Sequence, residues 1–389
     1  MHRRERCDNL PDVRAEIAER RARALATEPW QPQEAEGRPL SRRVAVGDPQ
    51  APLPVFLQIL ERHGLLGEDG WLADDVELVS IGDHFDFGGS TERHKAAADG
   101  LAILAWLGAH PPDQVVLIAG NHDLGRVGEL CDFDDDTFAT VHEQAILAYR
   151  DGDPEPDLER ALCEAYPSLA TAEVAARDFS AFSVAQRELV WALLRARRLR
   201  LAYAPNDEVV FCHAGVTCDH LTAVGLPAAE HARASAVAGA LNAALDAAVS
   251  NHSAGALSVR GLHRPGAWEG GEGGGMLYHR PANPEVAQNR GHDLGDTLGR
   301  RFDPRRLPAG LTQVIGHVAD AKCRELLGPW ARDEEPRPGA LRHLESDGTR
   351  VAYRTGLPSG APLATTARLV FIDGLMNRTP VAEYAILEW

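Results

Sequence analysis

The chain's 389 residues predict an α/β fold in which short strands, flanked by helices, carry a site at their ends. Three observations predict it. Short apolar runs rich in Val and Ile alternate with helical stretches, and each run is stopped by glycine or a polar cluster. The residues just past those stops are Asp, Asn and His, side chains able to bind metal ions. A composition of 44% hydrophobic and 25% charged residues suits one large core with insertions.

The elements follow in chain order. Residues 1–40 read as an arm: an Arg-rich helix from Asp12 to Ala26, then a Pro/Gly/Gln-rich connector from Glu28 to Pro39, expected to lie outside the core. Its first thirty residues mix arginines with Glu5, Asp8, Asp12, Glu16 and Glu19. They hold no apolar signal segment and too many acids for a transit peptide, so a cytoplasmic location is expected. Residues 41–389 read as one domain. Its predicted strands are RRVAV (42–46), VELVSI (76–81), VVLIA (115–119), EVVFC (208–212), TQVI (312–315) and RLVFI (368–372).

Between the third and fourth strands a mostly helical stretch, 127–200, is expected to form a cap over the site. The segment 266–275 reads as a flexible Gly-rich loop, and 331–338 as a charged, Pro-rich turn region. No repeat with a period of 20 to 50 residues is visible.

Charge and composition exclude several classes. A net charge of -17 argues against stable nucleic-acid binding, which needs clustered positive charge. No run of about eighteen apolar residues exists, so no membrane span is expected. The six cysteines form no C-x-x-C pair and read as reduced structural thiols. Cys212, one residue before His213 on a strand, should face the core.

The strand ends carry, in order, Asp48-Pro49-Gln50, Gly82-Asp83-His84-Phe85-Asp86, Gly120-Asn121-His122-Asp123, Cys212-His213-Ala214-Gly215 and Gly316-His317. Taken singly, a Gly-Asp pair is a common turn or helix cap, and a lone His is more often an interior residue. All five sets in sequence, each after a strand, carry the reading. At carboxyl ends of strands glycine permits the sharp turn that brings such loops together.

This order resembles the calcineurin-like metallophosphoesterase superfamily, from residue 42 to 376. The runs Gln186–Trp191, Leu277–Arg280 and Phe371–Gly374 look closest to its phosphoprotein phosphatase branch and the symmetrical diadenosine tetraphosphate hydrolases. The resemblance implies two packed mixed β-sheets flanked by helices, with the 127–200 insertion as cap. It also implies two divalent ions held by Asp48, Gln50, Asp83, Asn121, His213 and His317, with Asp83 bridging. Ions about 3.5 to 4 Å apart can generate a bridging hydroxide and neutralise phosphoryl oxygens.

The implied reaction is hydrolysis of a phosphomonoester, on a small molecule or a protein. His122 acts as general acid, Asp86 orients it, and Arg280, or secondly Arg126, clamps the phosphate. A nucleotide polyphosphate hydrolase is the alternative, and a catalytically weak scaffold protein that keeps the fold is the rival from another class. Gln50 stands where the family usually has histidine. Its amide oxygen makes that metal site harder, which favours Mn or Mg over Zn there; Mn is the first expectation for the pair, with Fe, Zn, Mg and Ni also compatible. The arginine usual after G-D-x-x-D is absent, since Phe87-Gly88-Gly89 follows Asp86. Ala319 stands where many members have a second histidine. His84, His263, His279 and His292 are further candidates for the pocket lining, whereas His63, His94, His110 and His252 are expected at the surface.

Overall fold

A computed structural model describes residues 13–150, 152–266, 273–290, 294–331, 335–360 and 362–389. The start of the arm, most of the Gly-rich segment, His292 and part of the 331–338 turn region lie outside the described residues.

The architecture is mixed α/β, with several sheets and helices. In chain order the principal strands are β1 Arg42–Val46, β2 Val76–Ser80, β3 Val115–Ile118, β4 Leu199–Arg200, β5 Ala202–Tyr203, β6 Val209–Cys212, β7 Thr312–Ile315, β8 Arg342–Ser346, β9 Val351–Thr355, β10 Ala367–Phe371 and β11 Leu387–Glu388. One sheet runs β11-β1-β2-β3-β4 and the other β9-β8-β10-β7-β6-β5. Within the first, β1, β2 and β3 are parallel, with Val44 opposite Leu78 and Val79 opposite Val116. Within the second, β6, β7 and β10 are parallel, with Val314 opposite Phe211 and Val370. Ala45, Val79, Ile118 and Leu387 of the first sheet join Phe211, Val314 and Val370 of the second in one buried apolar cluster.

The parallel pairing decides where a site can form. Parallel neighbours end on the same side, so three carboxyl ends of each sheet open at one edge. All six predicted strands are present within about a residue of the expected bounds. Strand β8, RHLES, is not among the sequence expectations: it is charged, yet Arg342, His343, Leu344 and Ser346 are buried between β9 and β10.

The arm helix, α1 Val13–Leu25, docks onto the core instead of lying outside it. Ala15, Ala18 and Ala22 recur on one face and are buried, close to α2 Leu53–Arg62 and α3 Arg93–Gly108. Small side chains allow close approach, and Arg23 to Asp99 (3.0 Å) and Trp30 Nε1 to the Gly108 carbonyl (2.9 Å) tie the arm down. Helix α4 Asn121–Gly125 leads into the 127–200 stretch, which holds α5 Asp135–Ala148, α6 Pro156–Ala165 and α7 Val184–Arg195. Asp134 caps α5 by accepting from Thr137 N (2.7 Å).

His110 corrects the surface expectation. It is buried against Trp71 and Trp106, its Nδ1 donating to the Trp106 carbonyl (2.8 Å) and its Nε2 accepting from Leu72 N (3.2 Å). Protonating Nε2 would set a second N–H against that donor, and burial already holds the pKa down to about 3. The folded pKa is below the unfolded value, so the unfolded chain takes up a proton below about pH 6.5 that the folded chain refuses. His110 therefore costs stability as pH falls, by about 2 kcal/mol between pH 7 and pH 5. Urea unfolding of the wild type is expected to lose that much more than His110→Gln over this interval. Equal losses would contradict it.

Candidate metal centre

Six of the parallel strand ends each deliver a polar side chain to one place: Asp48 after β1, Asp83 after β2, Asn121 after β3, His213 after β6, His317 after β7 and Asp373 after β10. The turns are strained where they do so. Five described non-glycine residues have positive φ, and three of them are Asp83 (55°), Asp86 (66°) and His317 (63°). Such conformations cost energy and persist where the surroundings impose them, typically at functional sites. Two glycines are required by close approach: a Cβ on Gly120 would lie 2.0 Å from Asp83 Oδ1, and one on Gly316 would lie 1.9 Å from Asp48 Oδ1.

Ligand atoms of Asp83, His213 and His317 all lie within 4.8 Å of one another. Asp83 Oδ2 is 3.3 Å from His213 Nε2, and Asn121 Oδ1 is 3.1 Å from that same nitrogen. The histidines are aimed by their far nitrogens. A carbonyl can only accept, so His213 Nδ1 donates to the Ile81 carbonyl (2.9 Å) and turns Nε2 toward Asp83. Likewise His317 Nε2 donates to the Tyr278 carbonyl (3.0 Å), which leaves Nδ1 as its ligand atom.

Asp48 is buried, and its Oδ2 accepts from His317 N (2.9 Å) while its Oδ1 has no protein partner. A buried carboxylate oxygen without a donor is costly unless a cation meets it. Electrostatics agree. Burial, then the charges of Asp373 and Asp83, hold Asp48 well above the usual carboxylate range, and burial raises Asp373 as well. Burial works to raise Asp83 too, but the charges of His213 and His122 outweigh it and hold Asp83 low. His317 is pushed well below the ordinary histidine value by burial and by the Arg280 charge, so it presents a neutral imidazole. The donor set of buried carboxylates, imidazoles and an amide oxygen fits divalent cations.

Gln50 donates its amide nitrogen to the Phe85 carbonyl (2.9 Å), which places it against the second motif. His122 donates Nδ1 to Asp86 Oδ2 (2.9 Å), and its backbone N donates to Asp83 Oδ1 (2.9 Å). Its Nε2 stands 4.0 Å from Asp83 Oδ2, and the side chain keeps 18% exposure. Arg280 donates to the same Tyr278 carbonyl that holds His317 (3.3 Å), which sets its charge beside the centre.

Arg126 is not placed to clamp a substrate. Its side chain is wholly buried and turned onto Asp86 Oδ2 (2.6 Å) and Gln186 Oε1 (3.1 Å), because the helical turn after Asn121 points it inward. His84 is also interior, gripped between Ser80 Oγ and Asp123 Oδ1 at 2.9 Å each. His263 and His279 are buried, His279 donating to the Gly215 carbonyl (2.9 Å).

Two contributors escaped sequence reasoning. Asp123 accepts from the backbone N of Gly120 (2.8 Å), Asp83 (3.0 Å) and His84 (3.1 Å), and so clamps two motif loops together. Asp373 follows a predicted strand and precedes a glycine, the same signal as Asp48 and Asp83 but in a different order.

No family model and no curated protein matches the chain. Among solved structures it is similar to a mutant cold-active protein tyrosine phosphatase, at a TM-score of 0.37 and 14% identity over 100% of this chain and 84% of that one. It is also similar to a protein serine/threonine phosphatase from Saccharomyces cerevisiae, at 0.33 and 14% over 91% and 94%. Likenesses this weak leave the side chains to carry the functional reading.

Proposed function

We propose that this chain is a dinuclear metal-dependent phosphoesterase acting on a phosphomonoester. The observation that carries the proposal is the convergence of Asp83, His213 and His317 within 4.8 Å, beside the unpartnered buried oxygen of Asp48. The parallel strand ends and the apolar cluster shared by the two sheets agree with the packed-sheet core the resemblance implies. Asp48 and Gln50 would hold one divalent ion, Asn121, His213 and His317 the other, with Asp83 between them and Asp373 as a nearby charge. Bound there, such ions acidify water and neutralise phosphoryl oxygens.

The rest is the work of the chain. His122, charged through its carboxylate neighbours, presents a proton at Nε2 to the departing oxygen. Asp86 keeps that ring oriented through Nδ1. Arg280 supplies the cation for the phosphoryl group, drawing an anion to a protein of net charge -17. A pure scaffold has no use for the His122–Asp86 pair.

Stripping the protein with EDTA and adding back Mn is expected to restore hydrolysis of p-nitrophenyl phosphate, with bound metal measured on the same sample. Turnover of a dinucleotide polyphosphate but not of the monoester would favour the nucleotide reading. No hydrolysis of either with metal bound would favour the scaffold.

A further inference from the structure

We infer that Arg126 and Gln186 are positioning residues that fix the orientation of the proposed acid, and that the helical 127–200 segment reaches the reaction through them. The inference rests on the phosphoesterase reading above.

Asp86 holds His122 through a single oxygen, Oδ2, at 2.9 Å. A carboxylate rotates about its Cβ–Cγ bond, so one hydrogen bond to one oxygen does not by itself set the imidazole plane. Two further donors stop that rotation. Arg126 Nη2 meets the same Oδ2 at 2.6 Å, and Ala181 N meets Oδ1 at 2.9 Å. Both carboxylate oxygens are thus tied, and the second tie comes from the helical segment.

Arg126 is in turn immobilised. Its guanidinium carbon lies 4.7 Å from the Phe85 ring centre and 5.9 Å from that of Phe179, the ring that also packs on His122 at 5.2 Å. Its Nε donates to Gln186 Oε1 (3.1 Å). Gln186 is fully buried at the start of α7 and has no freedom left: Oε1 also accepts from Ser183 N (3.0 Å), and Nε2 donates to the Ala97 carbonyl on α3 (3.1 Å).

One side chain therefore serves the helix cap, the α3 contact and the arginine at once. The amide is the required chemistry. A glutamate would lack the N–H for Ala97, and its charge would compete with Asp86 for the guanidinium.

The test compares wild type with Gln186→Glu, Gln186→Leu and Arg126→Met, each checked for folding by circular dichroism and for bound Mn. An acid that protonates the leaving group matters most when that group is poor. We expect kcat on an alkyl phosphate to fall about 10-fold or more, and kcat on 2,4-dinitrophenyl phosphate about 3-fold or less, with KM little changed. Equal losses on both substrates would mean a merely structural role and overturn the inference.

A second readout needs no turnover. In the metal-free protein labelled with 15N-histidine, the His122 Nδ1 proton should be protected from exchange in wild type and exposed in the variants. Unaltered protection in all three would also overturn it. If wild type hydrolyses neither substrate, the phosphoesterase reading fails while the proton readout still decides the coupling.

Discussion

Asp83→Ala is expected to abolish metal retention and, with it, turnover. Asp83 is the carboxylate clustered with the ligand atoms of the two histidines, with Oδ2 3.3 Å from His213 and Oδ1 engaged by the backbone of His122. Without it the centre loses the carboxylate that lies among the ligand atoms of His213 and His317, and Asp48 and Asp373 alone are left to offset a dication there. Metal-ion assistance is worth several kcal/mol at the transition state, so its loss lowers kcat/KM on the order of 10³-fold. Asp83→Asn keeps an oxygen for the His122 N–H and removes only the charge. If charge is what holds the ions, metal content by mass spectrometry falls in both variants. Full metal in either one would remove Asp83 from the bridging position.

His122→Ala is expected to keep its metal and lose about 10²- to 10⁴-fold in kcat. The ring donates to Asp86 through Nδ1 and is not among the clustered ligand atoms of Asp83, His213 and His317, and its backbone bond to Asp83 survives the substitution. Burial works to discharge the imidazole, but the carboxylates of Asp83 and Asp86 outweigh it and raise the pKa to about 9. In the metal-free chain a group so raised is protonated at neutral pH, the form an acid needs. Metal analysis and kinetics on one preparation check this. Metal lost along with activity would make His122 a ligand, and activity kept would end its role as acid.

Much of the site was legible because its signal is local. A strand end, a glycine and a polar residue make one short pattern, and Gly47-Asp48, Gly82-Asp83, Gly120-Asn121 and Gly316-His317 each carry it. Asp373 carries it in reverse, with its glycine behind, and so stayed outside the ligand set. Strand β8 was invisible because its buried residues include Arg342 and His343. Arg342 donates to the Val318 carbonyl (3.0 Å), and such partners are 24 residues away in the chain. Similarly, the alanines of α1 advertise no hydrophobic face, yet they let the helix approach α2 and α3 closely.

The sequence alone determined which residue types stand at the strand ends and in which order, since turning there requires glycine and holding a cation requires oxygen or imidazole donors. Only the tertiary structure decided the directions of those side chains. It turned Arg126 inward onto Asp86 and not outward to a substrate, placed His84 and Asp123 as braces, and brought Gln186 from α7 to Arg126. The reason is physical: a side chain's partner is set by packing between segments far apart in the chain, and a buried charge takes whichever neighbour satisfies it.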